Sequence, residues 1–283
     1  NAIQDIRAIP GPIVFHATFI IPGLLITFLT YLMQMINYQW MVKSLGSNPK
    51  TNQIIIGYAY SLLHKYIPGS IWGYFSRSDW YEREAAIPPN RSWGASVLEV
   101  VTTVSTSLSI WLGYHLAMQR SNTILTLLVI MLPFAVFLPI NLLILLFQKP
   151  KRNKWLITDL RPIPFRNWIF ITVNSYFQWT FFGLGLWIVF NIFSLEVNLT
   201  FNNITGFIYS FARAWVSGFL TFLIPTGIGI REVILKDLLS SVTQITSSKA
   251  VLVSTTYRLV TLGAELLWVF FSVLQKRRSL LKK

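Results

Sequence analysis

Five stretches of this chain, 15–40, 95–118, 123–147, 168–193 and 249–274, run past 20 residues with almost no formal charge. An α-helix of about 20 apolar residues, rising 1.5 Å per residue, crosses the roughly 30 Å of hydrocarbon in a bilayer. These lengths predict membrane spans. Composition agrees: 53% of the 283 residues are hydrophobic and 12% are charged, where a soluble domain carries about 25% charged residues. The expected fold is all-α, a polytopic transmembrane helix bundle forming a single domain over 1–283. Trp40, Trp111, Trp155, Trp168 and Trp268 fall at or near the ends of these runs, where aromatic side chains anchor at the interface.

The net charge of +14 does not indicate a nucleic-acid partner, because the basic residues lie in short segments between or beside the apolar runs. That distribution is a positive-inside signal. Lys149, Lys151, Arg152 and Lys154 form one cluster and Lys276, Arg277, Arg278, Lys282 and Lys283 another, so both are expected on the cytoplasmic side. Counting spans back from them places Lys43, Lys50, Arg77, Arg83 and Arg91 on the same side and Asn1 outside. A further N-terminal helix is expected to precede Asn1. Without cysteine the chain offers no disulfide framework, thiol nucleophile or thiolate metal site.

Two apolar regions are interrupted. Pro68-Gly69 breaks 53–83, and Pro225-Thr226-Gly227-Ile228-Gly229 breaks 204–241. Parity requires the first region to begin and end inside and the second to begin and end outside. The descending arms carry Arg77, Asp79, Glu82 and Arg83 in one case and Arg231, Glu232, Lys236 and Asp237 in the other. A full crossing on such arms is unfavourable, since one mid-bilayer Arg or Asp costs about 2.5–3.5 kcal/mol. Two re-entrant broken-helix hairpins entering from opposite faces are therefore expected, which is the pattern of an inverted repeat with halves at about 13–118 and 123–275. Ser96-Val97-Leu98 with Thr102-Thr103, and Ala250-Val251-Leu252 with Thr255-Thr256, echo each other after the two breaks.

Proline removes a backbone donor and glycine relaxes backbone sterics, so each break frees polar groups at membrane depth. Those are tolerated only in protein or around a wet cavity. The helices restarting near Ser70 and Ile230 point unpaired N–H groups and a positive dipole end at that cavity, an arrangement suited to an anion. Arg77 and Arg231 sit on these helices, and Arg258 lies nine residues into 249–274. Glu265, seven residues further, projects from the same face about 10 Å away, too far to pair with Arg258 without an intermediary. Glu99 and Arg213 are further intramembrane charges. His16, His64 and His115 are scattered, with no carboxylate at metal-ligand spacing, so neither a metal nor a catalytic group is expected.

The runs Tyr66-Ile67-Pro68-Gly69-Ser70-Ile71-Trp72 with Arg77, Phe222 through Pro225 to Gly227-Ile228-Gly229-Ile230-Arg231-Glu232, and Tyr257-Arg258-Leu259 together resemble the transmembrane region of lysylphosphatidylglycerol synthases, a flippase-like family. Where many members carry Glu-Arg, this chain has Glu99-Val100. The resemblance implies a lipid translocator without cofactor in a prokaryotic plasma membrane, its partners being a membrane lipid and either a lipid-modifying enzyme or further copies of itself. The substrate would contact Pro68, Gly69, Arg77, Pro225, Gly227, Gly229, Arg231, Glu232, Arg258 and Glu265. An embedded transferase acting on phospholipid or polyprenyl phosphate, and an anion channel, are the other readings these residues allow.

Overall fold

The computed structural model describes residues 15–67, 71–119, 122–147, 160–193, 200–221, 227 and 229–280. Among them every regular element is a helix: α1 Ile20–Ser44, α2 Thr51–Ser61, α3 Trp72–Ala85, α4 Pro89–Met118, α5 Thr123–Ile130, α6 Leu132–Ala135, α7 Phe137–Phe147, α8 Phe165–Asn191, α9 Phe201–Leu220, α10 Ile230–Thr243 and α11 Ser247–Leu280. Local chemistry sets several ends. Pro89 opens α4 at a position where its missing N–H costs no bond. The Thr200 side chain accepts from Asn203 N–H at the start of α9, and Ala86, in the left-handed region at φ 51°, closes α3.

Three helices are long and apolar enough to cross a bilayer: α1 with its preceding turn (Ala17–Ser44), α4, and α11 over Ser247–Arg277. The expected span at 123–147 is not straight. It is divided into α5, α6 and α7 and bends by 52°, because Pro133 and Pro139 each remove an intrahelical donor and crowd the preceding turn. The expected span at 168–193 is the 27-residue α8, long enough to cross and carrying Asn174, Ser175 and Gln178 among its apolar residues. Its polar face is turned inward: Asn37 Nδ2 donates to Ile171 O and Ser175 Oγ, and Asn174 Nδ2 donates to Met33 O, stitching α8 to α1.

Large apolar side chains cover the outside, with Ile21 75% and Leu138 72% exposed, whereas Arg77 is 5% and Glu265 1% exposed. Such an inverted surface suits a lipid solvent. Inside, two apolar clusters mark the ends of the bundle. One gathers Tyr38 and Met41 of α1, Trp168 of α8 and Trp268 of α11. The other gathers Leu186 and Phe190 of α8 with Ala250 and Tyr257 of α11. Helices α1 and α11 therefore run from the second cluster to the first, and α8 runs the other way.

The two interrupted regions occupy opposite ends. Both α2 (Ile54, Tyr58) and α3 (Trp80, Tyr81) pack into the first cluster, and both α9 (Phe207, Phe211) and α10 (Leu235, Leu239) into the second. Partners are exchanged between them. Helix α4, which follows the first pair, packs on α9, while α11, which follows the second pair, packs on α2. The α1–α8 contact runs down the middle.

Candidate functional site

Each helix pair is drawn tight by a glycine with no room for a side chain. A Cβ on Gly57 of α2 would stand 2.3 Å from the Tyr81 ring of α3. In the second pair a Cβ on Gly227 would stand 2.6 Å from the Gly218 carbonyl oxygen, and the φ of +65° at Gly227 is one that side chains disfavour. Close approach brings the inner ends of both pairs to one cavity of about 500 Å³. Lys65 and Ile71 come to it from the first pair, Gly227 and Arg231 from the second, and α1, α4, α8 and α11 complete its wall.

Arg77 is fully engaged. Its Nη1 lies 2.6 Å from Glu99 Oε2 and its Nε donates to Ser61 Oγ at 3.0 Å. The guanidinium lies over the Tyr58 ring at 3.8 Å and the Tyr38 ring at 4.7 Å. The second oxygen of Glu99 accepts from the Tyr58 hydroxyl. Charge, hydrogen bonds and aromatic faces thus tie α2, α3 and α4 into one unit.

Arg231 has a similar bed and no such partner. Its guanidinium lies 5.4 Å from the Phe211 ring and 5.9 Å from the Trp215 ring. Among the described residues it forms no ion pair, and its Nε is buried without a hydrogen-bond partner. The neighbouring Glu232 instead accepts from Gly229 N–H at 2.7 Å and pairs with Arg258 Nε at 3.5 Å. This modifies the expected anion-binding helix start, because one of the amides opening α10 is already capped by Glu232. Of the two arginines expected to hold an anion, Arg258 carries a carboxylate and Arg231 does not.

Glu265 is the most enclosed charge. It takes Lys65 Nζ at 2.6 Å, the Tyr66 hydroxyl at 2.9 Å and the Tyr31 hydroxyl. Tyr66 also lies under Arg258, 5.5 Å from its ring, and so supplies the intermediary that the spacing of Arg258 and Glu265 demands. Four cations line the cavity, Lys65, Arg77, Arg231 and Arg258, against the carboxylates of Glu99 and Glu232. With Glu265 behind Lys65 counted, one positive charge remains in excess among the described residues.

Of the residues singled out in the sequence, Arg77, Gly227, Arg231, Glu232 and Arg258 line the cavity and Glu265 stands behind Lys65. Gly229 begins α10 with φ +88°, while Pro68, Gly69 and Pro225 lie outside the described residues. Arg213 is set apart, donating to the Tyr209 hydroxyl and stacking on Trp111. Sequence reasoning passed over Lys65, Asn37 and Gln178, all of which line the cavity. Amides in otherwise apolar runs were the available signal for the last two, since each needs a polar partner in hydrocarbon.

No curated protein matches the chain. Residues 6–268 match the family described as the lysylphosphatidylglycerol synthase TM region. Spanning helices, a charged interior and a match over most of its length make this chain an integral membrane protein that belongs to the lysylphosphatidylglycerol synthase transmembrane-region family.

Proposed function

We propose that the protein is a flippase-like transporter that moves an anionic, phosphate-bearing lipid or glycolipid across the plasma membrane. The observation that carries this reading is Arg231, a half-buried arginine at the inner end of a helix pair that lines the cavity, with its Nε buried and unpartnered and with no ion pair among the described residues. A partly desolvated cation without an ion pair is unfavourable, and a lipid phosphate entering the cavity offsets that cost. The acyl or prenyl tails stay in hydrocarbon.

The exchange of partners between helix pairs supports an inverted repeat with two re-entrant hairpins, and alternating access follows from rocking one repeat against the other. Orientation comes from charge. Lys43, Arg91, Arg161, Lys276 and Arg277 sit toward the end marked by Tyr38 and Trp168, and Arg91 Nη1 is bound there to Gly46 O at 2.8 Å. That end is the cytoplasmic one by the positive-inside rule, and the C-terminus of α11 is with it.

An embedded transferase is disfavoured because Glu99, Glu232 and Glu265 are each held by a cation, which leaves none poised as a general base. The test is head-group movement in liposomes reconstituted with the full chain. Wild type is expected to accelerate the exchange of labelled phosphatidylglycerol between leaflets, and Arg231→Gln to abolish the acceleration. Product formation from a lipid donor in detergent, with no leaflet exchange, would establish the transferase instead, and ionic current without lipid movement would establish a channel.

A further inference from the structure

The cavity leaves three buried polar atoms without partners among the described residues: Arg231 Nε, Asn37 Oδ1 and Gln178 Nε2. Asn37 and Gln178 are 4% and 7% exposed, and both line the cavity that holds Arg231. They are close neighbours in the fold. Asn37 Nδ2 is fixed to Ser175 Oγ at 3.0 Å, and Gln178 lies one turn beyond Ser175 on the same face of α8. In a native interior such orphans are few and each calls for an occupant.

We infer that the cavity selects a lipid whose phosphate is linked to an uncharged, hydroxyl-bearing head, a polyol or a sugar, in preference to one bearing an ammonium group. This rests on the transport reading above and narrows its substrate class. The argument is one of complementary chemistry. A hydroxyl both donates and accepts, so one head-group hydroxyl can give its proton to Asn37 Oδ1 and take one from Gln178 Nε2 while the phosphate meets Arg231. An ammonium donates only, which leaves Gln178 Nε2 unmet.

A carboxylate is the strongest partner for an ammonium, and those described at the cavity are already engaged. Glu99 is taken by Arg77 and Tyr58, Glu232 by Arg258 and Gly229 N–H, and Glu265 by Lys65, Tyr66 and Tyr31. A cationic head could reach a carboxylate only by breaking one of these pairs, and it would add a positive charge to a cavity whose described charges are already in positive excess. The family name refers to a lysine-bearing lipid, whose head carries ammonium groups. The wall of this cavity fits the unmodified polyol head better.

The test is competitive lipid binding to the full-length protein in nanodiscs, read by native mass spectrometry. Phosphatidylglycerol, phosphatidylpropanol and phosphatidylethanolamine share the phosphate and differ only in the head: two hydroxyls, none, or an ammonium. Phosphatidylglycerol is expected to bind about fivefold tighter than phosphatidylpropanol, the gain of roughly one net hydrogen bond, and phosphatidylethanolamine weakest. Gln178→Met, close in volume, is expected to erase the preference between the two anionic lipids. A polyprenyl-phosphate-linked sugar as a fourth competitor separates a sugar head from a glycerol head within the same class. Equal binding of phosphatidylglycerol and phosphatidylpropanol, tighter binding of the ammonium lipid, or an undiminished preference in Gln178→Met overturns the inference while leaving the transport reading intact. Failure to bind either anionic lipid overturns both.

Discussion

Arg77 and Arg231 stand 154 positions apart in the chain, as do Gly73 and Gly227, and each arginine lies against an aromatic ring of the helix before it. Yet Arg77 is closed off by Glu99 and Ser61, whereas Arg231 meets no carboxylate among the described residues. The position in α11 that corresponds to Glu99, at the same spacing, is Val253. One carboxylate, present in one half and missing from the other, separates an arginine that holds helices together from one that can hold a ligand. A buried ion pair removed on one side leaves its partner stranded, so the two arginines should respond to mutation in opposite ways.

The largest effect is expected at Glu99. Glu99→Leu strands Arg77 in the interior and should destabilise the protein by about 3–5 kcal/mol, measured by thermal unfolding in detergent. Combining it with Arg77→Met should recover most of that loss, because a pair replaced together by apolar groups is close to neutral. Arg231→Gln breaks no pair. Its stability should equal or slightly exceed that of wild type, since an unpaired charge is removed, while affinity for an anionic lipid falls about 10- to 100-fold, the loss of one charge-assisted hydrogen bond. A stability loss at Arg231 as large as that at Glu99 would remove the distinction between the halves.

The glycines sharpen the same comparison. At Gly227 a Cβ would stand 2.6 Å from a backbone oxygen and the φ is positive, whereas at Gly73 the nearest atom, the Ser61 carbonyl oxygen, would be 3.3 Å away and the φ is not unusual. Gly227→Ala should therefore cost about 1–3 kcal/mol and Gly73→Ala less than about 1 kcal/mol, by the same unfolding assay. The smallest effect is expected at Tyr66. Tyr66→Phe removes one of the hydrogen bonds to Glu265, worth about 1 kcal/mol, and leaves Lys65 in place.

Much of the architecture could be read from hydropathy alone. The runs that became α1, α4 and α11 are long and predominantly apolar, and nothing in water could cover them. The interruptions at Pro68-Gly69 and at 225–229 located the helix pairs, since proline and glycine act through the backbone and leave their mark locally. The bend at 123–147 was also written in the chain, as Pro133 and Pro139, but length and apolarity outweighed them. The difference between Arg77 and Arg231 was not legible, because it depends on a partner from another helix, and the sequence does not say which charges will face each other. Lys65 was missed for the same reason, its partner Glu265 being 200 positions away. Asn37 and Gln178 were hidden inside runs read only for their apolar character.

The account depends most on the two helix pairs entering from opposite faces. With no native cysteine, single thiols can be placed at exposed positions at the outer ends of each pair, Glu82→Cys beside α3's end and Gln244→Cys beyond α10, and probed with a membrane-impermeant maleimide in right-side-out and inverted vesicles. Glu82→Cys is expected to react from the cytoplasmic face only and Gln244→Cys from the opposite face only. Labelling of both from the same side would contradict the opposed arrangement and the translocation route built on it.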